Sequence, residues 1–291
     1  MYSFSDILSH FINYCFLFKI PYNLHMISFS KLGEYGRLGN QIFQYAFLRT
    51  QAKRLGTKFY CSEWIGDKIF ELNDKNEKTE QFTAEHYYYE SDYKHGFHED
   101  VFDIQDGTEI GGYFQTDKYF SKEDAKKWFV FNESFFTDVN KKYSQIDFSS
   151  CTAIHIRLGD YLHPTLQFYV PKKSYFKNAL KLITNTKNVV VFSDNPELAK
   201  KYLNFLIEKA IFVERNQPHE DFYLMSKCRN IICSASSFSW WAAYLNKHED
   251  KKVIVPKCWF LPGSRMTNPD IFVDGWIKVS SCRWYDNYYI K

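Results

Sequence analysis

Residues 153–161 read Ala-Ile-His-Ile-Arg-Leu-Gly-Asp-Tyr, and this stretch decides the fold that the sequence predicts. An apolar run enters it from Thr152, and a Gly and an Asp end it, which is typical of a buried strand that leads into a polar loop. His155 and Arg157 are two positions apart, so they share one face of a strand. In an open α/β sheet, ligands bind outside the carboxyl ends of the strands. A His, a guanidinium and Asp160 at such an end indicate a site for a charged ligand, and a guanidinium suits phosphate best.

Overall composition narrows the class of protein. The chain has 291 residues, 45% of them apolar, which is enough for one large or two medium domains. A net charge of +3 is too small to predict nucleic acid or a membrane surface as the main partner. The 20% of aromatic residues suits stacking on sugars or bases, but AT-rich codon usage explains it equally well. Seven cysteines without a Cys-x-x-Cys pair argue against a zinc site or a disulfide framework and predict reduced thiols.

Residues 1–25 are predicted to be an appendage outside the main fold. Their apolar segment, 7–18, is interrupted by His10 and Asn13 and is too short for a membrane-spanning helix. It lacks a preceding basic stretch and a small-residue cleavage site, so it does not fit a signal peptide. An interfacial anchor, an extra packed helix and a start codon upstream of Met26 are the alternatives. We therefore expect a protein that is cytoplasmic or peripheral to a membrane.

A second polar site is predicted near the start of the first half. A short strand from Met26 leads to the loop Gly33-Glu-Tyr-Gly-Arg-Leu-Gly-Asn-Gln41 and then to a helix. Loop amides and a helix N-terminus suit an anion. The glycine spacing is neither the dinucleotide fingerprint nor a P-loop, so a plain tight turn is an open alternative. Arg37, Asn40 and Gln41 favour binding, because a turn does not require three polar side chains.

The chain is predicted to divide into two halves, residues 26–148 and 149–291. The predicted elements of the first half are a strand at 57–61, irregular structure at 65–108, a strand tip at 109–114 and helices at 121–128 and 129–143. Those of the second half are strands at 151–156, 188–192, 211–213, 229–233 and 252–256, and helices at 172–183, 196–205, 221–227 and 240–245. Such alternation predicts a parallel sheet.

Polar clusters follow three of the predicted strands in the second half. They are Arg157 with Asp160, Ser193 with Asp194, and the serines Ser234, Ser236, Ser237 and Ser239. Because the carboxyl ends of parallel strands share one edge of a sheet, we expect these clusters to converge on one crevice. An Arg beside hydroxyls and helix amides suits a diphosphate. The chain contains no Asp-x-Asp, which disfavours a metal-bridged diphosphate, so the protein must supply the positive charge.

The same residues also have purely structural interpretations. Arg157 is able to form an ion pair with Asp160, and His155 is able to act as a core histidine with a backbone partner. Residues 236–239 are able to cap the following helix. The pair Trp240-Trp241 is expected in the core or between the halves rather than stacked on a ligand.

Five motifs follow one another: Gly36-Arg-Leu-Gly-Asn-Gln-Ile-Phe-Gln-Tyr-Ala46, Gly112-Tyr-Phe-Gln115, His155-Ile-Arg-Leu-Gly-Asp-Tyr161, Val191-Phe-Ser-Asp194 and Ser236-Ser-Phe-Ser-Trp-Trp-Ala-Ala243. In this order they resemble the alpha-1,2-fucosyltransferases, glycosyltransferase family eleven, over about residues 26–278. The resemblance implies an α/β fold of the GT-B type, with two Rossmann-like domains facing across a cleft. It also implies inverting, metal-independent transfer of L-fucose from GDP-fucose to a sugar hydroxyl, commonly the 2-hydroxyl of galactose.

The resemblance implies roles for individual residues. Residues 149–291 would bind GDP-fucose and residues 26–148 would face the acceptor, a glycan that ends in galactose. The implied catalytic residues are Arg157, which would bind the diphosphate, Asp160 and Asn40. The implied donor-binding residues are Arg37, Gly39, Asn40, His155, Arg157, Ser193, Asp194, Ser236, Ser237, Phe238 and Ser239. The implied acceptor-binding residues are Tyr113 and Gln115, and no metal or cofactor besides the donor is implied.

The chain departs from the family pattern at three positions. Leu158 stands where many members have a second Arg, Arg37 where Gly is common, and Ala235 where Asn usually precedes the serine pair. These departures leave the acceptor and the subfamily open. A base must take the acceptor proton, and the candidates are Asp160, Asp194, Glu63 and Asp117.

Three other functions are weighed against alpha-1,2 transfer. The first is fucosyl transfer with another linkage or acceptor. The second is a Rossmann oxidoreductase that binds NAD, which the glycine spacing disfavours. The third is a non-catalytic carbohydrate-binding protein, which only the aromatic content supports. No nucleic-acid partner is expected, membrane association would be peripheral, and the oligomeric state is left open.

Overall fold

The structure, a computed structural model, describes residues 26–34, 36–80, 82–163 and 167–280. The predicted appendage at 1–25 lies outside the described residues. Within the described part of the chain, no helix is both long and apolar enough to cross a membrane.

The first half is built on a four-stranded parallel sheet. Its strands are β1 (Met26–Phe29), β2 (Lys58–Cys61), β3 (His86–Tyr89) and β4 (Thr108–Gly111), in the order β2-β1-β4-β3. Between β1 and β2 runs helix α1 (Leu38–Leu55), which ends at Gly56 in the left-handed conformation that a residue without Cβ adopts readily. The sheet therefore starts with the strand, glycine-rich loop and helix that the sequence predicts.

Two parts of the first half differ from the prediction. The segment at 65–108 contains β3, an edge strand whose exposed Tyr87 and Tyr89 hide the alternation by which strands are recognised. Residues 129–143 do not form one helix, because Phe131 forms an antiparallel bridge to Phe70. The helices here are α2 (Gly66–Ile69), α3 (Lys122–Trp128) and α4 (Thr137–Lys142).

The second half is built on a six-stranded parallel sheet with central strand β5. Its strands are β5 (Cys151–Ile156), β6 (Asn188–Ser193), β7 (Ala210–Phe212), β8 (Asn230–Ile232), β9 (Val253–Pro256) and β10 (Ile277–Val279), in the order β10-β9-β8-β5-β6-β7. Its helices are α5 (Lys173–Lys181), α6 (Pro196–Tyr202), α7 (Pro218–Lys227) and α8 (Ser237–Leu245). All six residues of β5 are buried, as expected for the middle of a parallel sheet covered on both faces.

The two halves meet along an aromatic seam, formed by Phe43, Phe120 and Phe129 of the first half and Trp240 and Trp241 of the second. The ring of Phe43 lies 4.6 Å from that of Trp240 and 4.9 Å from that of Trp241. Phe120 and Phe129 lie 5.2 and 5.3 Å from Trp241. One hydrophobic cluster includes all five rings, so α1 and α8 pack as in a continuous core. The two tryptophans therefore lie where the sequence places them.

Candidate functional site

A cleft of about 1310 Å³ lies between the two halves. Residues at the starts of α1 and α8 line it, together with residues that follow β4, β5, β6 and β7. Of the residues predicted for the site, those lining the cleft are Arg37, Gly39, Asn40, Tyr113, Gln115, His155, Arg157, Asp160, Ser193, Asp194, Ser236, Ser237 and Phe238. The strand ends converge in one crevice, as expected for parallel sheets.

Arg157 follows β5 and is held by two carboxylates. Its Nε and Nη2 donate to Asp160 Oδ1 at 3.0 and 2.6 Å, and its Nη1 lies 3.2 Å from Asp194 Oδ2. The guanidinium also lies 5.6 Å from the centre of the Tyr161 ring. Its side chain is only 13% exposed. The ion pair considered as a structural alternative is present, and it fixes the guanidinium at the cleft wall.

Asp160 links the halves, because its second oxygen, Oδ2, accepts a hydrogen bond from Arg37 Nη2. Arg37 comes from the first half and its side chain is 65% exposed. Leu158, which stands where many family members have an Arg, is completely buried in the core of the second sheet. Asp160 therefore meets one guanidinium from each half.

Asn40, in the first turn of α1, joins three segments of the chain. Its Oδ1 accepts hydrogen bonds from Gln115 Nε2 at 2.8 Å and from Ser237 Oγ at 2.6 Å. Gln115 is fixed in turn, because its carbonyl accepts from Asn268 Nδ2 at 2.8 Å. The contact thus connects the loop after β4 with the starts of both helices.

The starts of α1 and α8 touch at Gly39. A Cβ on Gly39 would lie 2.5 Å from the backbone nitrogen of Phe238, closer than real Cβ atoms approach. Ser236 caps α8, and its Oγ accepts from the Phe238 amide at 3.4 Å. Helix N-termini carry partial positive charge, so two such ends face the cleft together.

Ser239 corrects the predicted donor-binding set, because it does not line the cleft. It is fully buried in the first turn of α8. Its hydroxyl donates to the carbonyls of Ser236 at 3.3 Å and Ser234 at 3.5 Å. Ser236 rather than Ser239 caps the helix, and the Ser239 hydroxyl bonds to backbone carbonyls at the helix start.

His155 lies at the floor of the cleft with 3% of its surface exposed. Its Nδ1 is 2.7 Å from Ser234 Oγ, so its partner is a side chain rather than the backbone. Burial lowers the pKa of His155 from 6.5 to about 4, and the negative charge of Asp194 opposes that shift. The ring is neutral near neutral pH and lies 5.3 Å from the ring of Phe238.

The four candidate bases differ in position. Asp160 and Asp194 line the cleft but pair with Arg157. Glu63 lines the cleft and is exposed. Asp117 is absent from the cleft lining, and burial raises its pKa.

Sequence reasoning missed several residues that line the cleft. After β7, Asn216 Nδ2 donates to Asp221 Oδ1 at 2.8 Å, and burial raises the pKa of Asp221 to about 6. The strand-end rule applied to β7 would have found Asn216, whereas Asp221 lies in the first turns of α7. His95 also lines the cleft, but no local pattern marks it, because it comes from irregular chain between β3 and β4.

Comparison with known proteins identifies the family. The family model described as glycosyl transferase family 11 matches residues 31–280, which is most of the chain. The chain belongs to glycosyltransferase family 11. This match confirms the family that the sequence resemblance predicted, and each of the five motifs contributes residues to the cleft lining.

Three relatives of this family 11 protein match parts of the chain. The O-antigen biosynthesis glycosyltransferase WbnK of Escherichia coli is 33% identical over 141 residues, 45% of either chain. An alpha-1,2-colitosyltransferase of Escherichia coli is 27% identical over 190 residues, 60% of this chain and 64% of the other. Galactoside 2-alpha-L-fucosyltransferase SEC1 of Bos taurus is 25% identical over 146 residues, 46% of this chain and 39% of the other. The chain spans about half the length of the relatives it matches.

Solved structures show the same fold. A variant of FUT1 from Arabidopsis thaliana in complex with GDP superposes with a TM-score of 0.51 and 13% identity, covering 89% of this chain and 76% of the other. POFUT1 in complex with GDP-fucose superposes with a TM-score of 0.50 and 12% identity, covering 79% and 98%. The α/β fold of the GT-B type, predicted from the sequence, is confirmed.

Proposed function

We propose that this family 11 protein is an inverting, metal-independent glycosyltransferase that moves L-fucose from GDP-fucose to a galactoside hydroxyl in an alpha-1,2 linkage. The observation that carries the proposal is the preorganised guanidinium of Arg157, held by Asp160 and Asp194 at a cleft that two helix N-termini face. A guanidinium and helix amides suit a nucleoside diphosphate. The relative named as a galactoside 2-alpha-L-fucosyltransferase supports the sugar, the acceptor and the linkage.

In this proposal the second half binds the donor and the first half faces the acceptor. The diphosphate lies between Arg157 and the starts of α1 and α8, within reach of Ser236 and Ser237, which line the same wall. The acceptor lies against Tyr113 and Gln115, which also line the cleft and form what we call its acceptor wall. Asn40 connects the two sides through its contacts with Gln115 and Ser237.

The chemical step is mainly electrostatic. The bond between fucose C1 and the β-phosphate oxygen breaks, and the electron pair leaves with GDP. Arg157 and the helix amides stabilise the charge that develops on the leaving diphosphate, and they are already in place before the reaction. The acceptor oxygen attacks C1 from the opposite face, so the configuration at C1 is inverted.

A second donor sugar is also considered, because one relative is named an alpha-1,2-colitosyltransferase. That relative matches 60% of this chain, against 46% for the fucosyltransferase. Activity with a colitose donor and none with GDP-fucose would mean that colitose is the sugar transferred, while the proposed alpha-1,2 linkage would stand.

The test is a transfer assay with GDP-fucose, a colitose donor and a panel of β-galactosides, with the linkage of the product determined by NMR. Arg157→Ala is expected to lower kcat by about 10²–10³, the typical effect of removing one group that stabilises developing charge. Arg157→Lys should retain part of the activity, because it keeps the positive charge but loses the bidentate hydrogen bonding of a guanidinium.

The control is Arg229→Ala, which removes an Arg that pairs with Asp250 and does not line the cleft. It should transfer fucose at the wild-type rate. Circular dichroism establishes that each variant is folded. Near-normal transfer by folded Arg157→Ala would exclude the proposed role of Arg157. Tight sugar binding by a wild type that neither binds GDP nor transfers sugar would favour the carbohydrate-binding alternative.

A further inference from the structure

A buried carboxylate lies behind the acceptor wall of the cleft. Glu90 directly follows β3 and is 7% exposed. Its Oε2 accepts hydrogen bonds from the amides of Tyr113 at 2.7 Å and Phe114 at 2.8 Å. Its Oε1 is buried and has no hydrogen-bond partner among the described residues. A buried carboxylate with one unpaired oxygen is costly, so its presence calls for an explanation.

The loop after β4 is shaped around this carboxylate. Gly112 has φ +142°, and Phe114 has φ +51°, a conformation that is uncommon for a residue with a side chain. A Cβ on Gly112 would lie 2.5 Å from the Cβ of Glu90, which is too close. Glycine at this position therefore allows the loop to pack directly against the Glu90 side chain. Backbone strain of this kind clusters at functional sites.

His95 lies between this carboxylate and the cleft. It is 3% exposed, lines the cleft, and its Nδ1 lies 3.5 Å from Glu90 Oε2. No described residue forms a hydrogen bond with its Nδ1, which is buried. Its backbone is fixed, because its amide donates to the carbonyl of Thr267 at 2.9 Å. The imidazole is thus held with Nδ1 beside the Glu90 carboxylate. Its other ring nitrogen, Nε2, is available to a ligand in the cleft.

The surroundings of His95 place it on the acceptor wall. Its ring packs edge-on against Tyr113 at 5.8 Å and lies 6.0 Å from the ring of Phe260. Among the described residues, Glu90 is the charged group paired with its ring. Asp270 lies beside the neighbouring Gly96 and is paired with Lys118.

The carboxylates considered as bases are less suited to the role. The carboxylate oxygens of Asp160 and Asp194 are already engaged, because they contact the guanidinium of Arg157 at 2.6 and 3.2 Å, and the second oxygen of Asp160 also accepts from Arg37. The ring of His95 has no such cationic partner in the described part of the chain. An imidazole oriented by a carboxylate is a common general-base arrangement, and its hydrogen bonds are often long before substrate binds.

We propose that His95 is the general base of the reaction and that Glu90 orients its ring, an inference that rests on the proposed function. The acceptor hydroxyl transfers its proton to Nε2 of His95 as its oxygen bonds to fucose C1. The bond from C1 to the phosphate oxygen breaks, and its electron pair leaves with GDP. The carboxylate of Glu90 stabilises the imidazolium through Nδ1–H, and the proton then passes to water.

The first test is His95→Gln, with His98→Gln as the matched control. His98 lies three positions further along and does not line the cleft. His95→Gln should lower kcat for transfer by about 10²–10⁴, the usual contribution of a general base. GDP affinity, measured by calorimetry, should stay unchanged, because the lesion is on the acceptor wall. The acidic limb of the wild-type kcat/KM profile should disappear in this variant and persist in His98→Gln.

The second test is Glu90→Gln, which keeps the size of the side chain and an oxygen for the two loop amides. We expect kcat to fall by about tenfold and the acidic limb to move to lower pH, because the imidazolium loses its carboxylate. A merely structural role would lower stability and leave the position of that limb unchanged.

The outcomes separate this inference from the proposed function. If the wild type transfers no sugar, the proposed function fails. If it does, and folded His95→Gln keeps kcat within about threefold of wild type, the inference is overturned. If His95→Gln does not fold, the pH profile of Glu90→Gln decides, and an unshifted limb overturns the inference.

Discussion

The aromatic seam and the cleft are both built from α1 and α8, yet they hold the halves together in different ways. In the seam, Phe43 meets Trp240 and Trp241 with ring centres 4.6 and 4.9 Å apart, away from water. In the cleft, the starts of the same helices meet through a hydrogen bond of Asn40 with Ser237, and an exposed ion pair joins Arg37 to Asp160 in the loop after β5. A buried aromatic side chain contributes several kcal/mol, whereas an exposed ion pair contributes about 0–1 kcal/mol. The seam therefore fixes the placement of the halves, and the cleft contacts are free to exchange for a ligand.

The strongest test of this comparison is Trp241→Ala. Trp241 is fully buried and contacts rings of the first half and, through Trp240 and Tyr244, of the second, so its removal should lower the free energy of unfolding by about 3–5 kcal/mol. Urea unfolding followed by circular dichroism measures the loss.

Trp241→Phe is the matched control for that loss. The indole Nε1 is buried without a hydrogen-bond partner among the described residues, so replacing it removes an unsatisfied donor. Trp241→Phe should therefore lower the free energy of unfolding much less than Trp241→Ala does. A loss below about 1 kcal/mol for Ala would mean that the seam does not dominate the contact between the halves.

Lowering the pH tests the cleft separately from the seam. The aromatic rings of the seam carry no titratable group, whereas the floor of the cleft contains His155. The pKa of this ring is lowered by burial to about 4, from 6.5 in the unfolded chain. Between these values the unfolded state binds more protons, so the free energy of unfolding falls as pH is lowered, by up to about 3 kcal/mol.

The measurement is the difference in unfolding free energy between wild type and His155→Gln at several pH values. Carboxylates titrate in both proteins and cancel in the difference. The advantage of the wild type should shrink from pH 6.5 towards pH 4. A constant difference would show that His155 has the same pKa in both states.

The smallest effect is expected for Arg37→Ala, on the cleft side. Its side chain is 65% exposed, so stability should change by less than about 1 kcal/mol. GDP affinity, measured by calorimetry, should fall several-fold at low salt and less at high salt, because exposed charges are screened.

Lys58→Ala is the control for Arg37→Ala, since it removes an exposed positive charge outside the cleft. It should leave GDP affinity unchanged. Equal losses in both variants would assign the effect to net charge rather than to the cleft.

Much of the second half was predictable because its elements are locally consistent. The strand at 151–156 is an apolar run that ends in a polar loop, and its neighbour at 188–192 extends in the structure by one residue, to Ser193. By contrast, β10 has three residues at the sheet edge and gave no signal. The helix predicted at 129–143 is wrong, because Phe131 pairs with Phe70, a residue distant in the sequence, and local patterns do not record such a contact.

The residues of the candidate site also fall into those that the sequence predicts and those that it does not. Arg157, Asp160 and Asp194 follow strands, so a rule about strand ends finds them. Glu90 follows β3, a strand that the sequence did not reveal, and His95 comes from irregular chain. Contacts with the loop after β4 and with Thr267 hold Glu90 behind the cleft wall and His95 in it. No periodicity records such contacts, so local patterns cannot predict them.

The contact at Gly39 has a consequence for ligand binding. Only a hydrogen atom fits between this residue and the backbone of Phe238, so the positive ends of two helix dipoles are pressed together. Like charges at this distance oppose the packing that the seam imposes. A bound anion would relieve that repulsion, so part of its binding free energy appears as stability of the folded state. The donor would then act as a structural counter-ion as well as a substrate.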